Sequence, residues 1–119
     1  MTKRIFAATI IILAATGFGR AEDDNVVVET DIDRGKAIAF ERRKGNCLAC
    51  HVIEGGELAG NYGPPLVLMK ERYPDREKLR EQIWDASVRD DSTRMPPFGR
   101  HKILTEEEID LVVDFVLTL

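Results

Sequence analysis

The sequence predicts a single all-α domain, and two observations lead to that fold class. Apolar residues recur at helical spacing toward the C-terminus, most clearly from Ile109 to Leu117, whereas no stretch shows the strict alternation typical of a half-buried strand. The second observation is the segment 45–51, GNCLACH, in which two cysteines and a histidine stand at the spacing Cys-x-x-Cys-His. We therefore expect a small helical domain arranged around this segment.

The segment Cys47-Leu48-Ala49-Cys50-His51 has the attachment signature of c-type haem. Each thiol adds to one haem vinyl group, so both cysteines must lie on one short helical turn. The adjacent His51 can then bind the iron as the proximal ligand. Cys47 and Cys50 are the only cysteines of the chain, so no other cysteine competes for them. The signature predicts one covalently bound haem c, around which the domain is wrapped.

Three other interpretations of the two cysteines fit the sequence less well. A thioredoxin-like redox pair would follow a strand, whereas residues 33–44 are predicted to be helical. A zinc site built from the motif and His101 would have no common zinc spacing. A structural disulfide in an exported protein remains possible, but the motif itself favours haem.

Residues 1–21 resemble a secretory signal. Lys3 and Arg4 precede an apolar run, Ile5–Ala15, that is short for a membrane span, and cleavage is expected near Ala21. An uncleaved membrane anchor is the alternative. The remaining chain is predicted to comprise an N-terminal arm, 22–32, and the domain itself, 33–119.

The mature chain is predicted to be acidic. Three of the 17 basic residues and none of the 21 acidic residues lie in residues 1–21, which leaves 14 basic and 21 acidic side chains, a net charge of −7. This balance argues against nucleic acid as a partner.

The first predicted helix covers residues 33–44, with Asp31 or Asp33 as its N-cap and Gly45 at its end. Its packing stripe comprises Gly35, Ile38 and Ala39, with Phe40 beside them. The glycine- and proline-rich segment 54–65 that follows the motif is predicted to be a loop. We expect the carbonyl of Pro64 to accept the second ring N–H of the proximal histidine.

Residues 66–73 are predicted to form a short helix, and Pro74 the first position of a third helix. That helix has an inward stripe of Leu79, Ile83 and Ala86, and we expect Trp84 to belong to the core rather than to touch haem.

The last helix has a strong start signal. Thr105 and Glu108 form a capping box, and Leu104 and Ile109 a hydrophobic staple. The inward stripe comprises Ile109, Val112, Val113, Val116 and Leu117. Since the first and last helices each have an apolar face, we expect the two ends of the domain to pack together.

Three residues are candidates for the sixth iron ligand: Met69, Met95 and His101. Met95 is favoured, because its distance from His51 lets the chain wrap one haem face and return on the other, and because Pro96 and Pro97 stiffen its loop. Met69 lies in an apolar helical run, where methionine usually fills the core.

Several segments together resemble class I cytochrome c, namely Cys47-x-x-Cys50-His51, Gly63-Pro64-Pro65-Leu66 and Met95-Pro96-Pro97. Four segments narrow the resemblance to the SoxX family, the monohaem subunits of SoxAX cytochromes: Gly55-Gly56-Glu57-Leu58, Arg72-Tyr73-Pro74-Asp75, Gln82-Ile83-Trp84-Asp85 and Met95-Pro96-Pro97-Phe98-Gly99-Arg100-His101.

The resemblance implies a periplasmic electron-transfer subunit with no catalytic residue of its own. His51 and Met95 would be the axial ligands, and Cys47 and Cys50 the thioether anchors. A SoxA-like partner with one or two haems would link thiosulfate oxidatively to a cysteine of a SoxY-type carrier, as an L-cysteine S-thiosulfotransferase. This chain would pass the electrons to a soluble cytochrome c acceptor. Two alternatives remain open: a free-standing periplasmic electron carrier, and a haem sensor with a displaceable sixth ligand.

Basic residues flank the two predicted ligand segments of this acidic chain: Arg42, Arg43, Lys44, Arg94, Arg100 and Lys102. If they surround the haem edge, they would orient an electron-transfer partner. The alternative is that they are solvated side chains on helix and loop surfaces.

Overall fold

The computed structural model describes residues 29–119, and within this range it contains helices and loops but no strand. Four α-helices follow in chain order: α1 (Asp31–Phe40), α2 (Met69–Arg72), α3 (Arg76–Trp84) and α4 (Glu106–Val116). Two single 3-10 turns lie at Cys47–Ala49 and Ala86–Val88. The predicted signal segment, 1–21, and residues 22–28 of the predicted arm lie outside the described residues. No helix in the described range is long and apolar enough to cross a membrane.

Helix α1 begins two residues earlier and ends four residues earlier than predicted. Its N-cap is Thr30, so the expectation of Asp31 or Asp33 at that position is wrong. Thr30 and Asp33 form a reciprocal capping box, in which each side chain accepts from the backbone N–H of the other residue. After Glu41 the chain turns, and Gly45 packs against the helix, where a Cβ atom would lie 2.8 Å from the carbonyl oxygen of Ile38.

Helix α4 begins where its capping box predicts. The Thr105 side chain accepts from the backbone N–H of Glu108, whose carboxylate accepts from the backbone N–H of Thr105. Leu104 and Ile109, the expected staple, are both buried. The predicted stripe is buried along the helix, except that Leu117 is the half-buried C-cap.

Helices α1 and α4 pack together through a close approach at Gly35. A Cβ atom there would lie only 2.1 Å from the carbonyl oxygen of Leu111. One turn further along, the rings of Phe40 and Phe115 meet edge to face with their centroids 6.0 Å apart. The expected packing of the first helix against the last is therefore present, and it closes one side of the domain.

Helix α3 starts later than predicted. Asp75 is its N-cap and accepts from the backbone N–H of Glu77 at 3.0 Å, so Pro74 precedes the helix instead of opening it. Arg76 and Arg80 of α3 bind the Asp110 carboxylate of α4 at 3.3 and 2.8 Å. Leu79 and Ile83 are buried on the neighbouring face of the helix, as expected. Helix α3 is thus tied to α4 with its apolar face directed into the domain.

Candidate haem-binding site

The Cys-x-x-Cys-His segment forms one tight turn. Asn46 precedes it in the left-handed conformation, with φ of 46°. The backbone N–H groups of Cys50 and His51 both donate to the carbonyl of Cys47, at 3.2 and 2.9 Å. Cys47, Cys50 and His51 consequently lie on the wall of one cavity of about 630 Å³.

Both cysteines are free thiols. Burial raises the pKa of the Cys47 thiol to about 11. The Cys47 sulfur is therefore neutral at physiological pH. Within residues 29–119 no group of three or more histidine, cysteine or acidic side chains is placed to hold a metal ion.

The ring of His51 is held by the loop that follows the motif. Its Nδ1 lies 2.7 Å from the carbonyl oxygen of Pro64. A carbonyl can only accept, so Nδ1 is the donor, and in a neutral imidazole Nε2 then carries the free lone pair. Gly63 passes so close to the ring that a Cβ atom would lie 2.4 Å from Cε1. The expected contact between Pro64 and the histidine is present in the structure.

Backbone hydrogen bonds fasten this loop to the motif turn on both sides of the prolines. The N–H groups of Gly60, Gly63 and Leu66 donate to the carbonyls of Leu48, Cys50 and Val52, at 2.7, 2.8 and 2.9 Å respectively. The loop therefore has a fixed position relative to His51.

The rest of the cavity wall is largely apolar. The buried side chains that line it come from every helix after the motif and from the loop before α4: Met69, Leu79, Ile83, Phe98, Leu104, Val112 and Val116. A cavity of this size lies within the range of cofactor sites. Apolar walls, two thiols on one turn and a free imidazole nitrogen are the features that a covalently attached haem requires, so the residues present fit that group.

Met95 lies on the wall of the same cavity and is half-buried. Its loop is stabilised by a hydrogen bond of 3.2 Å from the Met95 N–H to the Thr93 hydroxyl. Met69 also reaches the cavity but is 2% exposed. The Met69 sulfur accepts a hydrogen bond of 3.2 Å from the Arg72 guanidinium. His101, the third candidate ligand, is exposed and lies outside the wall that the described residues form.

Only some of the basic residues expected around the haem edge line the cavity. Arg42, Arg43, Lys44 and Arg94 line the cavity, and Arg94 lies over the ring of Tyr62. Arg100 and Lys102 are not among the described residues that line it, so that part of the expectation is wrong.

Arg100 is held away from the cavity by a buried carboxylate. It pairs with Asp85, which is 5% exposed, at 2.6 Å. The Ser87 hydroxyl and the Arg100 guanidinium lower the pKa of the Asp85 carboxyl. A charge paired in this way is less available to a partner.

Trp84 is not among the described residues that line the cavity, whereas Arg72 is. Trp84 is half-buried and packs against the core, as expected. Its Nε1 donates to Glu106 at 3.1 Å. Arg72 lines the cavity but was not singled out as a site residue. The only sequence signal for Arg72 was its place in one of the four segments that resemble SoxX.

Comparisons with known proteins agree with this geometry. The model of the family "Cytochrome C oxidase, cbb3-type, subunit III" matches residues 30–116. A chain in the crystal structure of SoxXA from P. pantotrophus is similar with a TM-score of 0.67 and 26% identity, covering 77% of this chain and 83% of that chain. These two findings confirm the resemblance to SoxX and the all-α, class I cytochrome c-like fold.

A curated relative from Aquifex aeolicus (strain VF5), described as an uncharacterized lipoprotein, is 31% identical over 109 residues. The match covers 80% of this chain and 52% of the relative, so the chain spans about half the length of that protein.

Proposed function

This chain belongs to the cytochrome c oxidase, cbb3-type, subunit III family, and on that premise we propose that it is the SoxX-like electron-transfer subunit of a periplasmic SoxAX-type complex. The complex would join thiosulfate oxidatively to a cysteine of a SoxY-type carrier, with the reactive haem in a SoxA-like partner of one or two haems. This chain would receive the electrons and deliver them to a soluble cytochrome c. The observation that carries the proposal is the meeting of Cys47, Cys50, His51 and Met95 on one apolar cavity.

The motif turn provides attachment. Cys47 and Cys50, which lie on a single turn, would each form one thioether bond to a haem vinyl group. The haem, once bound, supplies one-electron redox chemistry. His51 would bind the iron through Nε2, because its Nδ1–H is donated to Pro64 at 2.7 Å.

Met95 would fill the sixth position. Its thioether is a weak ligand, and the hydrogen bond to Thr93 together with Pro96 keeps its loop in place. A filled sixth position favours electron transfer over ligand binding. The apolar wall formed by α3 and α4 would limit the access of water to the haem.

The attachment is tested with single cysteine variants. The chain is expressed with its signal segment in a host that attaches haem c, and denaturing gels are stained for haem. We expect a stained band for the wild type and weak or absent staining for Cys47→Ala and Cys50→Ala. An unstained wild-type band, with the protein present and exported, would contradict the haem assignment.

The assignment to a complex is tested by co-expression with a SoxA-type cytochrome of the same organism. We expect the two chains to elute together and the haem of this chain to be reduced when thiosulfate and a SoxY-type carrier are added. Separate elution would favour the free-standing carrier. Binding of carbon monoxide by the reduced wild type would favour the sensor.

A further inference from the structure

We propose that Arg72 is a positioning residue for His51, acting through the two prolines that lie between them in space. The inference rests on the proposed function, since it concerns the imidazole that would bind iron. Arg72 makes no hydrogen bond to the imidazole itself; it binds the carbonyl next to the one that accepts from His51.

Adjacent carbonyls of the loop carry the connection. The Pro64 oxygen accepts from His51 Nδ1 at 2.7 Å, and the Pro65 oxygen accepts from Arg72 Nη1 at 2.9 Å. The same Nη1 lies 3.2 Å from the Met69 sulfur and 3.5 Å from the Val67 oxygen. The contact with Pro65 is the shortest of the three and has the geometry of an ordinary charge-assisted hydrogen bond.

The prolines make this contact important. Neither Pro64 nor Pro65 has an N–H group, and their rings fix φ, so each carbonyl direction depends on ψ alone. The N–H of Leu66 shares a planar peptide group with the Pro65 carbonyl, so its hydrogen bond to the Val52 oxygen at 2.9 Å restrains that peptide group on one side. Arg72 binds the oxygen of the same peptide group from the other side, and the two hydrogen bonds together limit rotation of the adjacent Pro64 carbonyl.

The short helix that carries Arg72 is firmly packed against the rest of the domain. It lies at the end of α2, whose first residue, Met69, is buried and donates its N–H to the backbone oxygen of Leu119 at 2.9 Å. The rigid guanidinium plane loses less conformational entropy on binding than a flexible ammonium group would. The Arg72 side chain thus connects helix α2 to the loop that contains Pro64 and Pro65.

The hydrogen bond on the second ring nitrogen fixes the orientation of a ligating histidine and raises its basicity. We therefore expect loss of Arg72 to loosen the bond between His51 and Pro64 while leaving the thioether anchors intact. Arg72 is exposed, so water competes with this contact. The expected effect is that of one net hydrogen bond, between about threefold and about tenfold in an opening equilibrium.

The experiment uses the reduced, haem-loaded protein and NMR. Exchange of the His51 Nδ1 proton with deuterium is compared with exchange of the Gly63 amide proton, which donates to Cys50 in the same loop. The variants are Arg72→Met, which keeps the length but removes the donors, and Arg72→Lys, which keeps the charge and a donor. Arg89→Met is the matched control, because Arg89 is an exposed arginine that binds Gln82 at 3.3 Å.

We expect Arg72→Met to speed exchange of the His51 proton by about threefold to tenfold, with little change at Gly63. Arg72→Lys should restore most of the protection, and Arg89→Met should resemble the wild type. Unchanged exchange at His51, or equal acceleration at His51 and Gly63, would overturn the positioning role. Failure of Arg72→Met to fold would be followed by Arg72→Gln, and failure of both would show a structural role instead.

The two proposals fail in different ways. A wild type without covalent haem contradicts the proposed function before any Arg72 variant is made. A haem-loaded wild type whose His51 proton is indifferent to Arg72 contradicts this inference alone.

Discussion

At the scale of single residues, the imidazole of His51 is fixed from two directions. Pro64 accepts its Nδ1 proton at 2.7 Å, and the α-carbon of Gly63 lies against the ring, where a Cβ atom would be 2.4 Å from Cε1. The contact with Pro64 was predicted from the sequence. The steric requirement at Gly63 was not, because a glycine in a Gly-Pro-Pro loop looks like any turn residue.

Gly63→Ala should disturb the histidine more than the fold. The added methyl group would push the ring aside and weaken its bond to Pro64, so the basicity of the ligand falls and the reduction potential of the haem rises. The measurement is a redox titration of the purified protein. Gly99→Ala is the control, because its Cβ atom would meet the indole of Trp84 at 1.9 Å, away from His51. Gly99→Ala should lower thermal stability with little change in potential, and equal potentials for the two variants would contradict the steric argument.

Met95→Ala should leave the haem attached but open the sixth position. Carbon monoxide should then bind the reduced protein, and the reduction potential should fall, because thioether ligation favours ferrous iron. Absorption spectra with and without carbon monoxide check this. Met69→Ala is the comparison, since Met69 is 2% exposed and its loss should cost about 2–5 kcal/mol of stability without opening the iron. The reverse pattern would show that Met69 is the ligand.

At the scale of elements, α1 and α4 are specified mainly by their first residues. Each has a capping box, at Thr30 and Asp33 and at Thr105 and Glu108, and each box satisfies backbone N–H groups that the helix cannot pair itself. The box of α4 was predicted from the sequence. That of α1 was missed because the nearby aspartates are equally good caps.

Gly35→Ala tests the crossing of these two helices. Alanine has the higher helix propensity, by about 1 kcal/mol, but its methyl group would lie 2.1 Å from the backbone oxygen of Leu111, which cannot move without shifting α4. We expect the clash to dominate, with a net loss of about 2 kcal/mol and a Tm lower by roughly 10 °C. Thermal unfolding of the haem-loaded protein measures this. Ala37→Ser on the exposed face of α1 should change the Tm little, and a Gly35→Ala protein as stable as the wild type would contradict the close approach.

At the scale of the whole molecule, the charge is unevenly distributed. The chain has a net charge of −4, yet the charged residues that line the cavity are five cations and one carboxylate within the described range: Arg42, Arg43, Lys44, Arg72, Arg94 and Asp90. Lys44 is paired with Glu108. The electric field of these cations would orient an approaching partner toward the cavity, although the chain as a whole is acidic.

Electron transfer to a negatively charged partner should therefore slow as ionic strength rises. At physiological salt, interactions between exposed charges more than about 8 Å apart are largely screened, so the effect should be largest at low salt. There Arg94→Gln should lower the second-order rate by about threefold. Arg100→Gln should matter less, since Arg100 is paired with Asp85 at 2.6 Å. Stopped-flow mixing with the reduced partner gives the rates, and rates independent of both salt and Arg94 would point to an apolar docking surface.

The sequence by itself determined the features that depend on a few neighbouring residues. The Cys-x-x-Cys-His turn, the start of α4 and the contact between Pro64 and His51 could all be predicted, because their geometry follows from local spacing and from donors that have no other partner. The assignments of Met95 and His51 as iron ligands stay predictions. Their side chains line one cavity, as that assignment requires.

Tertiary structure decided which distant residues meet. Arg72 reaches Pro65 and Arg100 turns to Asp85 because packing of the elements, and not sequence spacing, sets these contacts. The start of α3 at Arg76, by contrast, is a local feature, because the Asp75 side chain caps the helix by accepting from the Glu77 N–H. Gly63 and Gly35 are required only because other chain segments approach them closely. The predicted stripe placed Gly35 on the packing face of α1, but neither segment records how closely the other approaches, because the atoms that fill the space come from residues elsewhere in the chain.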